Sequence, residues 1–430
     1  MPLQSIPMRY AHAMLNRREL GRVVGAGLAG LAIGCGDDVE PPVAGAAVFE
    51  PSTDALLVSV WSATSVRAHV AVHDDEAGAL VREADVVLGE AGTGAVDVDG
   101  LAPSRTYTII VTDEHGARLG RHRAHTAPAD DDGRPVRLAV SADVDADPAW
   151  DSPLVDHVLA ADPELYVSLG DFPYADNGPD VAMTVPAYRD RHAQLRLSPH
   201  GRRLLEGVGV RAIYDDHEYR NDWDAMFAAA ETERYAAAMQ VWDEFFPVRG
   251  AAGDVRYRSW RWGRHLECFL LDTRRFRSAN AAPDTEAKTM LGVHQETWLA
   301  AALAASTATF KLVFTSVPLD FGLGNDHWAA FSVARSRLFA ATAGRGVLFV
   351  SADQHWFASH RHAGGQRELQ VGPIARGLGT PGPPRAEVLA RHVRPNAAIL
   401  DADEEAITVR ALDVDGVIFH EARLTLDDLG

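Results

Sequence analysis

Carboxylate and imidazole side chains follow four short apolar runs of this sequence. In chain order these groups are Asp143, Asp171, Asp216 with His217, and Asp353 with His355. A short apolar run is typical of a buried strand, and open α/β sheets place their chemistry at the carboxyl ends of such strands. We therefore expect the four strand ends to meet at one edge of a sheet.

These residue types favour a site for two metal ions. Iron, manganese, zinc and calcium take carboxylate oxygens and imidazole nitrogens as ligands, and Asp171 is the candidate for a carboxylate that bridges both ions. Two cations about 3.5 to 4 Å apart ionise a shared water near neutral pH, and this hydroxide can attack a phosphate ester in line. Each motif alone also fits an aspartate that caps a turn, but four together favour the metal site.

Tyr174 lies three residues after the candidate bridge Asp171. A phenol has a pKa near 10, so it becomes a ligand only beside a strong Lewis acid. This spacing indicates a trivalent ion such as Fe(III) at one of the two positions.

Composition narrows the class of protein. The chain has 430 residues, of which 47% are hydrophobic, enough to bury a large core in more than one domain. The 60 acidic and 41 basic residues give a formal charge of -19, so we expect no specific nucleic-acid binding and no electrostatic adhesion to anionic membranes. The cysteines are Cys35 and Cys268, which exclude a disulfide framework and a cysteine-based zinc site.

The N-terminal residues 1–35 are typical of a twin-arginine export signal. Arg17 and Arg18 precede a short run of glycine, alanine and other apolar residues from Val23 to Ile33, which is shorter than the roughly 20 residues of a membrane-spanning helix. The run ends at Cys35, so a lipid anchor there and cleavage nearby are alternatives. A third alternative is an amphipathic surface helix. We expect an exported protein, periplasmic or at the cell surface.

Two structural segments follow. Residues 46–127 alternate with period two between turn residues, which predicts a small all-β sandwich similar to fibronectin type III domains. An acidic linker at 129–135 leads into residues 135–430, where apolar strands alternate with helical patterns and predict an α/β catalytic domain. Within it, His192 and His200 are expected on helix surfaces, and residues 397–426 are expected to add antiparallel strands to a sheet edge.

The motifs together resemble the alkaline phosphatase D family. They are Leu169-Gly-Asp171-Phe-Pro-Tyr174, Tyr214-Asp-Asp216-His217-Glu218, Leu271-Asp-Thr-Arg274-Arg-Phe-Arg277, Met290-Leu-Gly-Val-His-Gln295-Glu-Thr-Trp298 and Ser351-Ala-Asp353-Gln-His355. The resemblance extends from about residue 46 to the C terminus. The Gly-Asp-x-x-Tyr motif is also similar to purple acid phosphatases, whose tyrosinate binds ferric iron. The family implies a metallophosphoesterase fold, phosphomonoesterase or phosphodiesterase activity, and iron with calcium.

The resemblance also implies metal ligands. Asp143 would hold the first ion, Asp171 would bridge, and Tyr174 would bind Fe(III). Asp216 would hold the second ion, expected to be Ca(II), with Zn or Mn as alternatives for the pair. Asp353 and His355 would each complete one coordination shell.

The resemblance also implies residues that contact the substrate and residues that orient the metal ligands. His217 would contact the phosphate or protonate the leaving oxygen. Arg274 would steady either the phosphate or an acidic loop, and an ordinary salt bridge is the alternative. Glu218 would orient backbone or a neighbouring ligand.

The sequence departs from the family pattern at three places. Asp143 stands where the family often has cysteine, and Ala352 stands where glycine is expected before the Asp-x-His pair. The second-ion histidine that purple acid phosphatases take from a separate loop has no clear counterpart. His327 is the candidate, and the alternative is that it only shapes the pocket.

These observations predict an exported, monomeric, metal-dependent phosphoesterase that acts on small phosphate mono- or diesters through a metal-bridging hydroxide. One alternative is a phosphodiesterase specialised for diesters or phospholipids. The other is a cell-surface binding protein whose catalytic layer has decayed. A serine or cysteine hydrolase is disfavoured because the sequence has no Gly-x-Ser-x-Gly motif.

Overall fold

The computed structural model describes residues 43–178, 181–251, 253 and 255–430. The predicted export signal and Cys35 lie outside the described residues. Of the helices in the described part of the chain, none combines the length and the apolar character that a bilayer crossing requires.

Eight strands come first in the described part of the chain, and α-helices follow from Leu154 onward. The strands are β1 Ala44–Phe49, β2 Leu56–Ser62, β3 Arg67–Asp74, β4 Ala79–Val87, β5 Thr93–Val98, β6 Thr106–Asp113, β7 Arg118–His125, β8 Val136–Ser141, β9 Leu165–Ser168, β10 Val210–Ala212, β11 Arg258–Trp262, β12 Leu266–Leu270, β13 Phe310–Phe314, β14 Val347–Ser351, β15 Phe357–Arg361, β16 Arg367–Gln370, β17 Glu387–His392, β18 Asn396–Ala402, β19 Ile407–Asp413 and β20 Ile418–Leu424. The helices are α1 Leu154–Ala160, α2 Val185–Leu197, α3 Pro199–Gly207, α4 Ala225–Ala230, α5 Thr232–Phe245, α6 Gly292–Ala305, α7 Ser332–Thr342 and α8 Leu426–Leu429.

The first sheet has the strand order β20-β19-β18-β8-β9-β10-β1-β2-β5. Its centre is parallel, because β8 pairs with β9 and β9 pairs with β10 in the same direction. The C-terminal strands β18 to β20 extend one edge in antiparallel fashion, as their alternating pattern predicted. The carboxyl ends of β8, β9 and β10 therefore lie side by side.

The second sheet has the order β11-β12-β13-β14-β16-β15-β17, with β12, β13 and β14 parallel. It packs face to face on the first sheet through a buried apolar cluster that includes Leu138, Val167, Leu312 and Val350. Helices cover the outer faces: α1 to α3 and α5 pack on the first sheet, and α6 and α7 pack on the second. Strands buried on both faces explain the nearly continuous apolar runs.

The third sheet, β4-β3-β6-β7, forms an all-β sandwich with β1, β2 and β5. Tyr107 is buried in this core, and its hydroxyl accepts a hydrogen bond from the Ala102 backbone N–H at 2.9 Å. However, β1 also pairs in parallel with β10. The first sheet thus runs through both segments, and the boundaries 46–127 and 135–430 remain predictions.

The predicted surface positions of two histidines are wrong. His192 on α2 and His200 on α3 are both buried. The long helical pattern divides at Ser198, whose hydroxyl caps α3 by accepting from the Gly201 N–H at 3.2 Å. This break turns His200 inward, where its Nε2 lies 2.5 Å from the Asp145 carbonyl oxygen. His192 packs instead against the ring of Phe245, with centroids 5.0 Å apart.

Candidate metal centre

The carboxyl ends of four strands meet as the sequence predicted. Asp143 follows β8, Asp171 follows β9, Asp216 and His217 follow β10, and Asp353 and His355 follow β14. Asp143, Asp171, Asp353 and His355 have positive φ angles between 55° and 73°, a left-handed conformation that is uncommon outside glycine and concentrates at functional sites. The fold therefore holds these side chains on sharp turns at one edge of the two packed sheets.

The ligand atoms form adjacent groups around Asp171 and Asp216. Within each group, one donor atom per residue lies within 4.8 Å of the others. The groups are Asp143 with Asp171 and His355, Asp171 with Asp216 and His217, and Asp215 with Asp216 and Asp353. Asp171 belongs to the first two groups, which is the position expected of a bridging carboxylate.

Buried carboxylate oxygens at this site fit cations. Asp143 Oδ2, Asp171 Oδ2 and Asp216 Oδ1 are buried and have no hydrogen-bond partner among the described residues. Burial, reinforced by Asp215 and Asp216, holds the pKa of Asp143 and of Asp353 well above its usual range, and burial with Asp216 does the same for Asp171. A buried charge is costly unless it is paired with an opposite charge or coordinates a metal ion. Two positive ions would offset this cost.

Tyr174 and His355 face the same position as Asp143. The Tyr174 hydroxyl lies 2.8 Å from His355 Nε2 and 3.5 Å from Asp143 Oδ1. His355 Nδ1 lies 2.6 Å from the Gly377 carbonyl oxygen, so Nδ1 carries the proton and Nε2 presents a lone pair. Burial lowers the pKa of His355 to about 4, which keeps the ring neutral and able to ligate.

His217 has a different environment from His355. Its Nδ1 lies 2.7 Å from Asp176 Oδ1, and its backbone N–H donates to Asp171 Oδ1 at 3.1 Å. Burial opposes the charged ring, but the carboxylates of Asp216 and Asp176 outweigh it and raise the pKa of His217 to about 9. A protonated His217 suits a proton donor, although its ring also falls within ligand distance of Asp171 and Asp216.

Arg274 is fully buried beneath the site. Its Nε and Nη2 donate to the two oxygens of Asp215 at 2.6 and 2.8 Å, and its Nη1 donates to Asp326 Oδ1 at 2.9 Å. Burial alone would raise the pKa of Asp216, but Arg274 outweighs it and the pKa falls below its usual range. Arg274 therefore steadies an acidic cluster, which is one of its two predicted roles. Its contact with phosphate stays a prediction.

Comparison with known proteins agrees with this geometry. The family model for PhoD-like phosphatases matches residues 152–407, which is more than half of the chain. The chain belongs to the PhoD-like phosphatase family. The resemblance inferred from the motifs is thereby confirmed.

This PhoD-like phosphatase is also similar in sequence to a bacterial protein. Alkaline phosphatase D of Bacillus subtilis (strain 168) is 27% identical over 244 residues, which are 49% of this chain and 42% of that protein. The chain thus matches less than half the length of that relative.

Solved structures share the fold. A structure of PhoD matches with a TM-score of 0.78 at 18% identity, covering 91% of this chain and 90% of that one. Purple acid phosphatase PPD1 from yellow lupin seeds matches with a TM-score of 0.64 at 12% identity, covering 90% and 74%. The predicted metallophosphoesterase-like α/β fold with an N-terminal all-β segment is confirmed.

Of the supporting residues of this PhoD-like phosphatase, Glu218 was assigned a role from the sequence and Asp215 was not. Glu218 was expected to orient backbone, and its carboxylate accepts from the N–H groups of Phe172 at 2.8 Å and Asp215 at 3.0 Å. It thereby ties the Asp171 loop to the strand end that carries Asp216. The motif predicted a ligand role for Asp216 and no role for Asp215, whose two carboxylate oxygens accept from Arg274.

Close packing explains a glycine in the same motif. Gly170 has φ of 111°, and a Cβ there would lie 2.5 Å from Asp215 Cβ. The glycine before Asp171 is therefore required because the ends of β9 and β10 approach each other closely at this point. A sequence pattern shows this glycine but not the residue that it approaches.

His327 does not join the grouped ligand atoms of the described residues. Its Nδ1 accepts from the Ala329 N–H at 3.3 Å, and its ring packs on Phe321 with centroids 4.3 Å apart. Its place agrees with the alternative that it shapes the pocket. The loop contributes Asp326 instead, whose oxygens lie near Asp216 and Asp222.

Proposed function

We propose that this protein is a metal-dependent phosphoesterase that hydrolyses phosphate mono- or diesters. The observation that carries the proposal is the pair of adjacent ligand groups that share Asp171, with buried carboxylate oxygens that have no hydrogen-bond partner among the residues that the structure describes. Membership of the PhoD-like phosphatase family supports the same activity.

The residues present fit two different ions. Asp143, Tyr174 and His355 with Asp171 would hold the first, and the phenol and imidazole donors favour Fe(III), with Zn or Mn as alternatives. Asp171, Asp216 and Asp353 would supply oxygen ligands to the second, which favours Ca(II). When bound, two cations would neutralise the ester oxygens and lower the pKa of the attacking water.

The protein's own groups would handle the proton and the alignment. His217 is held through Nδ1 by Asp176, so its Nε2 would carry the proton for the leaving oxygen. Arg274 would act through Asp215, since its guanidinium is bonded to carboxylates on both sides. Glu218 would keep the Asp171 loop in register with Asp216.

The substrate would be a small phosphate ester and the protein a monomer. The charge of -19 disfavours nucleic acid as a partner. Export through the twin-arginine segment at 1–35 belongs to the same proposal, with lipidation at Cys35 and cleavage nearby as the two alternatives. Cell fractionation of the wild type and of an Arg17→Lys, Arg18→Lys double variant tests it, and equal export of both would contradict it.

The activity is tested with p-nitrophenyl phosphate and bis(p-nitrophenyl) phosphate side by side. The purified protein is stripped with a chelator and then supplied with iron, calcium, zinc or manganese. We expect turnover of at least one ester to return with iron and calcium. A preference for the diester would favour the specialised phosphodiesterase.

Controls separate loss of chemistry from loss of fold. Asp171→Asn is compared with Asp85→Asn, which changes an exposed carboxylate on β4. Asp171→Asn should lose both metal and turnover while Asp85→Asn keeps both. A metal-free protein that stays inert after reconstitution would contradict the enzyme and favour the decayed binding protein.

A further inference from the structure

A short segment after β16 contacts three of the candidate ligands of the first ion. Ala375 pairs with the Asp143 loop, because its N–H donates to the Asp143 carbonyl at 3.2 Å and its carbonyl accepts from the Asp145 N–H at 3.0 Å. Two residues on, the Gly377 carbonyl lies 2.6 Å from His355 Nδ1. The backbone of residues 375–377 thus fixes the position of Asp143 and the ring of His355.

The side chain of Arg376, between these two contacts, lies on the third ligand. Its guanidinium carbon is 4.3 Å from the centroid of the Tyr174 ring, within the distance at which a cation is attracted to an aromatic face. The guanidinium has two further neighbours outside its own segment. It forms an ion pair with Asp145, and its carbon lies 5.7 Å from the centroid of the Trp150 ring. Arg376 is therefore held at its charged end while it contacts the phenol.

This arrangement restricts the movement of Tyr174. A phenol held only by its Cβ can swing about its side-chain torsions, and its hydroxyl must lie near Asp143 Oδ1 and His355 Nε2 to serve as a ligand. A planar cation against the face of the ring opposes that swing. The ion pair with Asp145 fixes the cation to the same loop that carries Asp143.

We propose that Arg376 is a positioning residue that orients Tyr174 toward the first metal position through the contact of its guanidinium with the phenol ring. The proposal rests on the proposed function, because Tyr174 is a ligand only if a metal binds there. It assigns Arg376 a role that its ion pair with Asp145 alone would not require.

The test compares Arg376→Met, which keeps an unbranched side chain but removes the cation, with Arg376→Lys, which keeps the charge but not the planar group. Arg202→Met is the matched control, because Arg202 pairs with Glu206 on the exposed face of α3. The readouts are the tyrosinate-to-iron charge-transfer band, iron content per chain, kcat and KM, and the melting temperature.

We expect Arg376→Met to shift or weaken the band and to lower kcat by about tenfold, the lower end for residues that orient metal ligands. Arg376→Lys should show a smaller change in the same direction, and Arg202→Met none. An Arg376→Met protein with unchanged band and kcat, even if its melting temperature falls, would overturn the proposal.

Failure of the proposed function, or of the iron assignment alone, gives a different result. If the wild type hydrolyses neither ester, or takes up no iron and shows no such band, crystal structures of the metal-free wild type and Arg376→Met decide. A displaced Tyr174 ring in the variant supports the positioning role. An unmoved ring overturns it.

Discussion

Removing the guanidinium of Arg274 should destabilise the protein strongly. In Arg274→Met the carboxylates of Asp215 and Asp326, both buried, lose their shared partner. Breaking a buried ion pair by removing one member costs about 3 to 5 kcal/mol. Asp326 keeps its ion pair with Arg277, so the cost falls mainly on Asp215 and we expect a loss near the lower end. Against a typical total stability of about 5 to 15 kcal/mol, this is a large fraction.

The pH dependence identifies the cause. Burial raises the pKa of Asp215 above its usual range although Arg274 opposes it, whereas at Asp216 Arg274 outweighs burial and the pKa is lowered. Without Arg274 both folded-state pKa values rise further, so the folded protein binds extra protons. The loss of stability should therefore be small near pH 5 and grow as the pH rises toward 8.

The assay is urea unfolding of metal-stripped protein at pH 5 and pH 8, with Arg202→Met as the exposed control, for which we expect a change below about 0.5 kcal/mol. Arg274→Lys, which keeps one charge and loses the two-point contact, should lie between wild type and Arg274→Met. If Arg274→Met does not fold, Arg274→Lys carries the comparison. A loss below about 1 kcal/mol in both variants, or an equal loss at both pH values, would refute the reasoning.

Three other outcomes follow from the site. In Asp176→Asn the pKa of His217, about 9 in the folded protein, should fall. Activity that needs the protonated ring is lost as the pH rises through that pKa, so the alkaline limb of the kcat profile should move to lower pH. An unmoved limb would argue against His217 as the acid. Gly372→Ala should weaken metal binding, measured by titration, because φ is 92° and a Cβ would lie 2.3 Å from Asp143 Oδ2; wild-type affinity would contradict this close approach. Metal addition to stripped protein should raise the melting temperature more at pH 8 than at pH 5. Burial raises the pKa of the site carboxylates Asp143 and Asp171, so the metal-free fold loses stability as they ionise with rising pH. An equal rise at both pH values would contradict this prediction.

Residues that follow apolar runs could be placed from the sequence. Asp143, Asp171, Asp353 and His355 each come directly after a strand, and parallel strands in packed sheets bring their carboxyl ends together. Tyr174 could be placed too, because three residues on the same turn keep it beside Asp171. Local spacing was sufficient for these five.

Other partners depend on loops whose course local patterns do not determine. Asp326 reaches Arg274 from a loop 52 residues further along the chain. Arg376 reaches Tyr174 only because residues 375–377 pair with the Asp143 loop. No periodicity or spacing in the sequence indicates either contact.

Sheet connectivity was also hidden from the sequence. The strand β1 pairs antiparallel with β2 and parallel with β10, while its alternating pattern predicted only a sandwich strand. A buried ion pair reinforces the junction, since Glu50 accepts from Arg211 and Arg258. Pairing over a separation of about 160 residues is set by tertiary packing, which local patterns do not show.

Asp171 is expected to share its carboxylate between two cations. Anomalous X-ray diffraction from crystals of metal-loaded protein, with data on both sides of the iron absorption edge, tests it most directly. We predict two metal peaks flanking Asp171, with the iron peak next to Tyr174, Asp143 and His355. A single peak, or peaks that do not contact Asp171, would contradict the account.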